Sequence, residues 1–116
     1  MWSALLSVCI AAETLETAAL TVEGVKIVAE IADEPHERQK GLMYRTELKK
    51  DHGMLFVYTT LEPRSFWMKH TQIPLTIAYL NAECQIVHMA DMKPLSLEPV
   101  PSSVPVLFKL VKVPVL

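Results

Sequence analysis

Val25-Lys26-Ile27-Val28-Ala29-Glu30-Ile31 is the stretch that decides the fold. Val25, Ile27, Ala29 and Ile31 alternate with Lys26, Val28 and Glu30, and side chains two apart share one face of a strand. Upstream, Leu20-Thr21-Val22 and Glu23-Gly24 complete a hairpin with glycine in its turn. Downstream the period changes. Pro35 suits the first position of a helix, Glu37 places acid in its first turn, and Gly41 is a natural stop. The segment predicts a helix of two turns at most, with Leu42 and Met43 folding back as apolar anchors.

Residues 46–52 read as a charged loop with Lys49, Lys50 and Asp51, and Gly53 ends it. Met54-Leu55-Phe56-Val57-Tyr58 is apolar throughout, which fits a strand buried on both faces. Residues 59–63 are expected to turn and residues 64–69 to return as a strand. Residues 75–80 and 85–89 flank Asn81-Ala82-Glu83-Cys84 as another hairpin. Residues 91–103 hold three prolines and predict an irregular connection, and residues 104–113 predict a last strand. About seven short strands and one short helix imply a mainly β fold, a compact antiparallel sandwich or barrel-like single domain.

The composition suits such a domain. A chain of 116 residues, 51% hydrophobic and 21% charged, can build one core and is too apolar to be disordered. Eleven basic against thirteen acidic residues leave a net charge of −2, which offers no long-range attraction to phosphate, so nucleic acid is not an expected partner. Cys9 and Cys84 are the only cysteines, far apart and without the spacing of a zinc knuckle or redox pair. Residues 1–12 form an apolar run broken only by Ser3 and Ser7, shorter than the ~20 residues that span a bilayer. The run matches the hydrophobic part of a secretory signal, although no Lys or Arg precedes it. Residues 1–19 are therefore read as an apolar N-terminal segment, a possible signal remnant, and residues 20–116 as the domain. A periplasmic or otherwise extracytoplasmic location is the expectation, with a cytoplasmic protein carrying a packed apolar tail as the alternative.

Several motifs in order carry a family resemblance. Asp33-Glu34-Pro35-His36-Glu37-Arg38-Gln39-Lys40-Gly41-Leu42-Met43-Tyr44-Arg45 comes first, then Gly53-Met54-Leu55-Phe56-Val57-Tyr58 and Ser65-Phe66-Trp67-Met68-Lys69. Ile73-Pro74-Leu75 and Pro94-Leu95-Ser96-Leu97-Glu98-Pro99 complete the set. Over residues 20–105 the chain resembles the DUF192 family, small prokaryotic domains without an established activity. The resemblance implies a compact mainly β fold with a short helix after the first long strand, and many members carry export signals. This chain departs from the pattern at His70, where the family commonly has Asn, and at Cys84, where a glycine is usual. Glu34 also replaces the usual short polar N-cap. After Pro105 the likeness dissolves, and an unpaired apolar C-terminal edge strand is expected to favour self-association.

Read as a strand, Ser65-Phe66-Trp67-Met68-Lys69-His70-Thr71 puts Phe66, Met68 and His70 on one face and Trp67, Lys69 and Thr71 on the other. An indole, a cation and a hydroxyl on one face, joined by Arg45 from the helix segment, suit an anionic small molecule. Glu98 could tie the proline-rich loop to Arg45 or Lys69. Arg45, Trp67, Lys69, Thr71 and Glu98 are thus the expected ligand-binding residues. The plainer reading pairs Lys69 and Arg45 with Glu47 or Glu62 on a solvated surface. A soft-metal (copper) site is an alternative, since Met43, Met54, Met68, Met89 and Met92 accompany His70 and His88, yet methionine readily fills cores and no close histidine spacing occurs. A small hydrolytic enzyme could use Ser65 or Ser96 with His70 and Asp91, but no nucleophile elbow, phosphate loop or dinucleotide fingerprint is present. No metal and no cofactor is expected.

Overall fold

Alternation in the strands and two punctuating turns build the first half of the molecule. A computed structural model describes residues 15–114. The expectations placed on residues 1–14, the export signal among them, lie outside the described residues. Strand β1 (Thr17–Val22) turns at Glu23 and Gly24 into β2 (Val25–Ala32), with Val22 opposite Val25. Helix α1 (Pro35–Lys40) follows, and strands β3 (His52–Phe66), β4 (Leu75–Leu80), β5 (Ile86–Met92) and β6 (Val100–Lys112) complete the chain.

Helix α1 forms where Pro35 presets the first turn. The Glu37 carboxylate folds back to accept the N–H groups of Glu34 at 3.0 Å and Asp33 at 3.2 Å. The Glu34 bond is the main reason this carboxyl sits below its ordinary pKa. Gly41 ends the helix at φ 51°, and its missing Cβ leaves room for the Phe56 ring, whose nearest carbon would lie 3.1 Å from one.

The six strands form one open mixed sheet in the order β1-β2-β3-β6-β4-β5. The mainly β fold with one short helix is as expected, but the sheet is not wholly antiparallel. β2 and β3 pair in parallel, Ala32 opposite Phe56, with α1 in the crossover between them. The last strand is no edge: β6 lies between β3 and β4, so the unpaired C-terminal edge expected from the sequence does not exist. It also begins at Val100, inside the stretch expected to be irregular.

Residues 59–63 do not reverse the chain. β3 runs through them, and the register against β6 jumps from Val57–Phe108 to Glu62–Val106. The turn-forming residues bulge outward into water, where residues 59–63 are all exposed. A second correction follows at the other end. β3 stops at Phe66, so residues 67–71 do not alternate between two faces; Met68 and Thr71 are both buried while His70 is exposed.

Strand parity sorts the core into two clusters. Met54, Phe56, Leu75, Ile77, Tyr79 and Val111 form the larger one, closed over by Leu42, Met68 and Ile73. Ile27, Ala29, Ala78 and Leu110 form the smaller one on the opposite face. The strand at residues 54–58 is thus fully buried at Met54 and Phe56 and half-buried at Leu55 and Val57. Among the described residues no helix is long and apolar enough to cross a membrane.

Candidate functional site

The sequence-predicted residues part company in the folded chain. Arg45 forms a two-pronged ion pair with Glu30, at 2.5 Å and 2.7 Å, which holds its guanidinium above its ordinary pKa. Glu98 lines a cavity with Met68, Asp91, Lys93 and Ser96, and its backbone N–H donates to Ser96 Oγ at 3.2 Å. Lys69 places its ammonium 5.1 Å from the centre of the Trp67 ring. Thr71 is buried and donates its hydroxyl to the Lys69 carbonyl at 3.1 Å. Of the five, Trp67 and Thr71 line a common cavity; Arg45 and Glu98 do not line it.

That cavity, of about 130 Å³, lies where α1 and the loop after it meet the end of β3 and the middle of β6. Arg38, Lys40 and Lys109 line it together with Ser65, Trp67 and Thr71, and among the described residues no carboxylate does. Its flanking loops are pinned to each other. The Tyr44 N–H donates to the His70 carbonyl at 2.8 Å, and the two rings stack with centres 5.1 Å apart. His70 sits at φ 55°, a conformation Asn tolerates better than most residues, which accounts physically for the family's usual residue at this position.

Lys109 is the residue that sequence reading overlooked. It is 6% exposed, opposite Phe56 on β3 and Tyr79 on β4. Its ammonium donates to the Ser65 carbonyl at 2.7 Å and otherwise faces the rings of Tyr58, Phe66 and Phe56, at 5.1, 5.3 and 5.7 Å. Burial pulls its pKa down to about 8, with Arg64 and Arg38 adding repulsion. A carboxylate partner is missing from the ion pairs of the described residues.

Two further cations crowd the same aromatic ring. Arg38 lies 5.1 Å and Arg64 3.6 Å from the centre of Tyr58. Arg38 donates through Nη1 to the carbonyls of Asp33 at 2.5 Å and Val57 at 3.0 Å, tying α1 to β3. Arg64 donates to the Thr60 carbonyl at 2.7 Å, reaches the exposed Glu62 at 3.6 Å, and leaves a buried Nε without a partner. Burial raises the Tyr58 hydroxyl pKa, so the ring is neutral and supplies only its π face. Three cations surround one phenol, and among the described residues Glu62, which is exposed, is the only carboxylate within ion-pair distance of them.

A signal for Lys109 exists in the sequence. Leu107-Phe108-Lys109-Leu110-Val111 puts one charge in the middle of an apolar run, and in a central strand such a charge has no route to bulk water. Arg38 gave no such signal, since its reach to β3 depends on how the helix packs.

The residues of the other readings are engaged separately. Asp91 accepts from Thr76 at 2.6 Å, Ser96 Oγ accepts from Glu98, and His70 stacks on Tyr44. Met54, Met68 and Met92 belong to the core, and His88 lies against Tyr79. Among the described residues no cluster of three or more His, Cys, Asp or Glu side chains could hold a metal ion.

The sequence model of DUF192 (Uncharacterized ACR, COG1430) matches residues 18–112. The chain belongs to the DUF192 family. Two crystal structures resemble it closely. One is a candidate transcription regulator from Sinorhizobium meliloti 1021, with TM-score 0.75 and 32% identity over 82% of this chain and 76% of that one. The other, a protein of unknown function from Novosphingobium aromaticivorans, has TM-score 0.73 and 30% identity over 87% and 83% of the two chains. No curated protein matches the chain. The DUF192 assignment accounts for the fold and the order of motifs and leaves the chemistry of the cavity to be argued from its residues.

Proposed function

We propose that this DUF192 domain is a small-ligand-binding module that takes a small anion in the cavity of Arg38, Lys40 and Lys109. The observation that carries the reading is the convergence of these three cations, with the Ser65 and Thr71 positions, on a cavity that no carboxylate of the described residues lines. A buried cation without a counter-charge is costly, and a carboxylate or phosphate that enters supplies the charge the protein omits. Arg38 and Lys109 offer unequal chemistry: a planar guanidinium fork and a point charge. Trp67 and Phe66 bound the space and keep water from surrounding the bound group.

Calorimetric titration of the full chain with inorganic phosphate and with acetate tests this. One site is expected, weakened about tenfold or more by Lys109→Met through loss of a charge-assisted contact. Heats of simple dilution for both anions, with the fold intact by circular dichroism, overturn it. We further place the module outside the cytoplasm, on the strength of the apolar run at residues 1–12. Cell fractionation that recovers the protein only in the cytosol, with its N-terminus uncleaved, overturns that assignment.

A further inference from the structure

Ser65, Phe66 and Trp67 line the cationic cavity and also line a second, open concavity of about 440 Å³, which Leu97 and Pro99 complete. Among the described residues no charged one lines this groove. Trp67 is 44% exposed and Leu97 64% exposed, so two large apolar side chains stand in water at a concave surface. Apolar area of that kind is what a ligand buries on binding.

The groove is held in shape from below. Met68 N–H donates to the Ser96 carbonyl at 3.1 Å and Leu95 N–H to the Thr71 carbonyl at 2.9 Å. These bonds fasten the loop that carries Leu97 to the segment that carries Trp67. A pre-formed groove spares a ligand the ordering of a loop.

We propose that groove and cavity form one bipartite site for a small amphiphilic carboxylate. Its anionic head lies among Arg38, Lys40 and Lys109, and its aryl or short alkyl body lies against Trp67, Leu97 and Pro99. The proposal rests on the reading of the cavity as an anion site and adds the class of molecule that fills it. The larger volume is on the apolar side, which suits a body bigger than the head. A benzene ring needs a space of only about 150 Å³, so the groove holds a ring with a short linker. Trp67 offers that ring a flat aromatic partner. A protein partner fits less well, since stable interfaces cover about 800 Å² per side and this apolar surface is confined to a groove lined by five residues.

The test compares acetate, 3-phenylpropionate and 3-phenylpropanol by calorimetry on the full chain. Head and body together are expected to bind about tenfold or more tighter than acetate, because a buried ring adds roughly that much. The neutral alcohol is expected to bind about tenfold or more weaker than the matching acid. Leu97→Ser, at an exposed position, is expected to narrow the gap between 3-phenylpropionate and acetate several-fold. Equal affinities for acetate and 3-phenylpropionate, or a gap untouched by Leu97→Ser, overturn the bipartite site and leave the anion site standing. Failure of both acids to bind overturns the two together.

Discussion

Arg45 and Lys109 are both withdrawn from water, and the chain treats them in opposite ways. Arg45 is half-buried and meets Glu30 in a two-pronged pair that satisfies its charge within the fold. Lys109 is buried more deeply and meets a carbonyl, three aromatic rings and two other cations. A compensated charge fastens the loop after α1 to β2 and asks for nothing more. An uncompensated one keeps part of its electrostatic energy available to a visitor. The difference separates a structural cation from a candidate binding cation, and residue type alone does not reveal it.

The strongest way to break the contrast is to give the cation cluster the carboxylate it lacks. Lys109→Glu places a carboxylate beside Arg38 and Arg64, turning the cluster into a version of the Arg45–Glu30 pair. Anion affinity is expected to fall by about a hundredfold or more as attraction becomes repulsion. Stability is expected to fall, since the carboxylate loses the Ser65 carbonyl bond and faces three electron-rich ring faces that its attraction to Arg38 and Arg64 only partly offsets. Calorimetry and urea denaturation read the two effects, and a variant that still binds phosphate removes Lys109 from the site.

Titration sharpens the same contrast without a mutation. The folded Lys109 has a pKa of about 8, below the value near 10.4 of an unfolded chain. Between those values the unfolded chain binds more protons, so the Lys109 contribution makes stability rise from about pH 8 towards pH 10.4. Anion affinity moves the other way, falling by about tenfold between pH 7 and pH 9.5 as the amine loses its proton. Tyr58, whose pKa is raised, stays neutral through the start of that window. Affinity that is flat across the range means that Lys109 does not touch the anion.

Breaking the compensated pair should touch stability alone. Arg45→Ala leaves Glu30 half-buried and unpaired, and is expected to cost about 1 kcal/mol. Phosphate affinity is expected to stay within twofold of the parent chain. A large loss of affinity would join the Arg45 region to the cavity and dissolve the distinction.

Much of the architecture could be read from local pattern, because local pattern is what fixes it. The alternation from Val25 to Ile31, Pro35 and Gly41 around the helix, and the turns at Gly24 and Cys84 each act within a few residues. Cys84 sits at φ 63°, a conformation glycine adopts without steric cost, which accounts physically for the glycine usual at this position. What escaped reading depends on partners far along the chain. Residues 59–63 have turn chemistry, yet β6 pairs with β3 at Val57 and again from Glu62, so the chain bulges and continues as one strand. Pro101 argues against a strand, and it is tolerated on β6 near the register shift with β3. At the site, Trp67 and Thr71 were legible because an indole and a hydroxyl stand out in a short run. The cations that join them, Arg38 and Lys109, are 71 residues apart in sequence (109 − 38 = 71) and meet only once the crossover is complete.

Lys69 offers the smallest and most discriminating change, because it is the cation that sequence favoured. Its ammonium stands over the Trp67 ring, yet it does not line the cavity that Trp67 shares with Lys109. An exposed cation–π contact is worth about 0.5–1 kcal/mol. Lys69→Ala should therefore lower stability by no more than that and shift the indole emission as the ring loses its cation. The Thr71 hydroxyl bonds to the Lys69 backbone carbonyl, which the substitution keeps, so the turn at residues 69–71 stays in place. Phosphate affinity should change by less than twofold. A tenfold loss would move the binding charge from the cavity of Lys109 to Lys69, and the anion would then be held by the cation over the Trp67 ring rather than by the uncompensated core one.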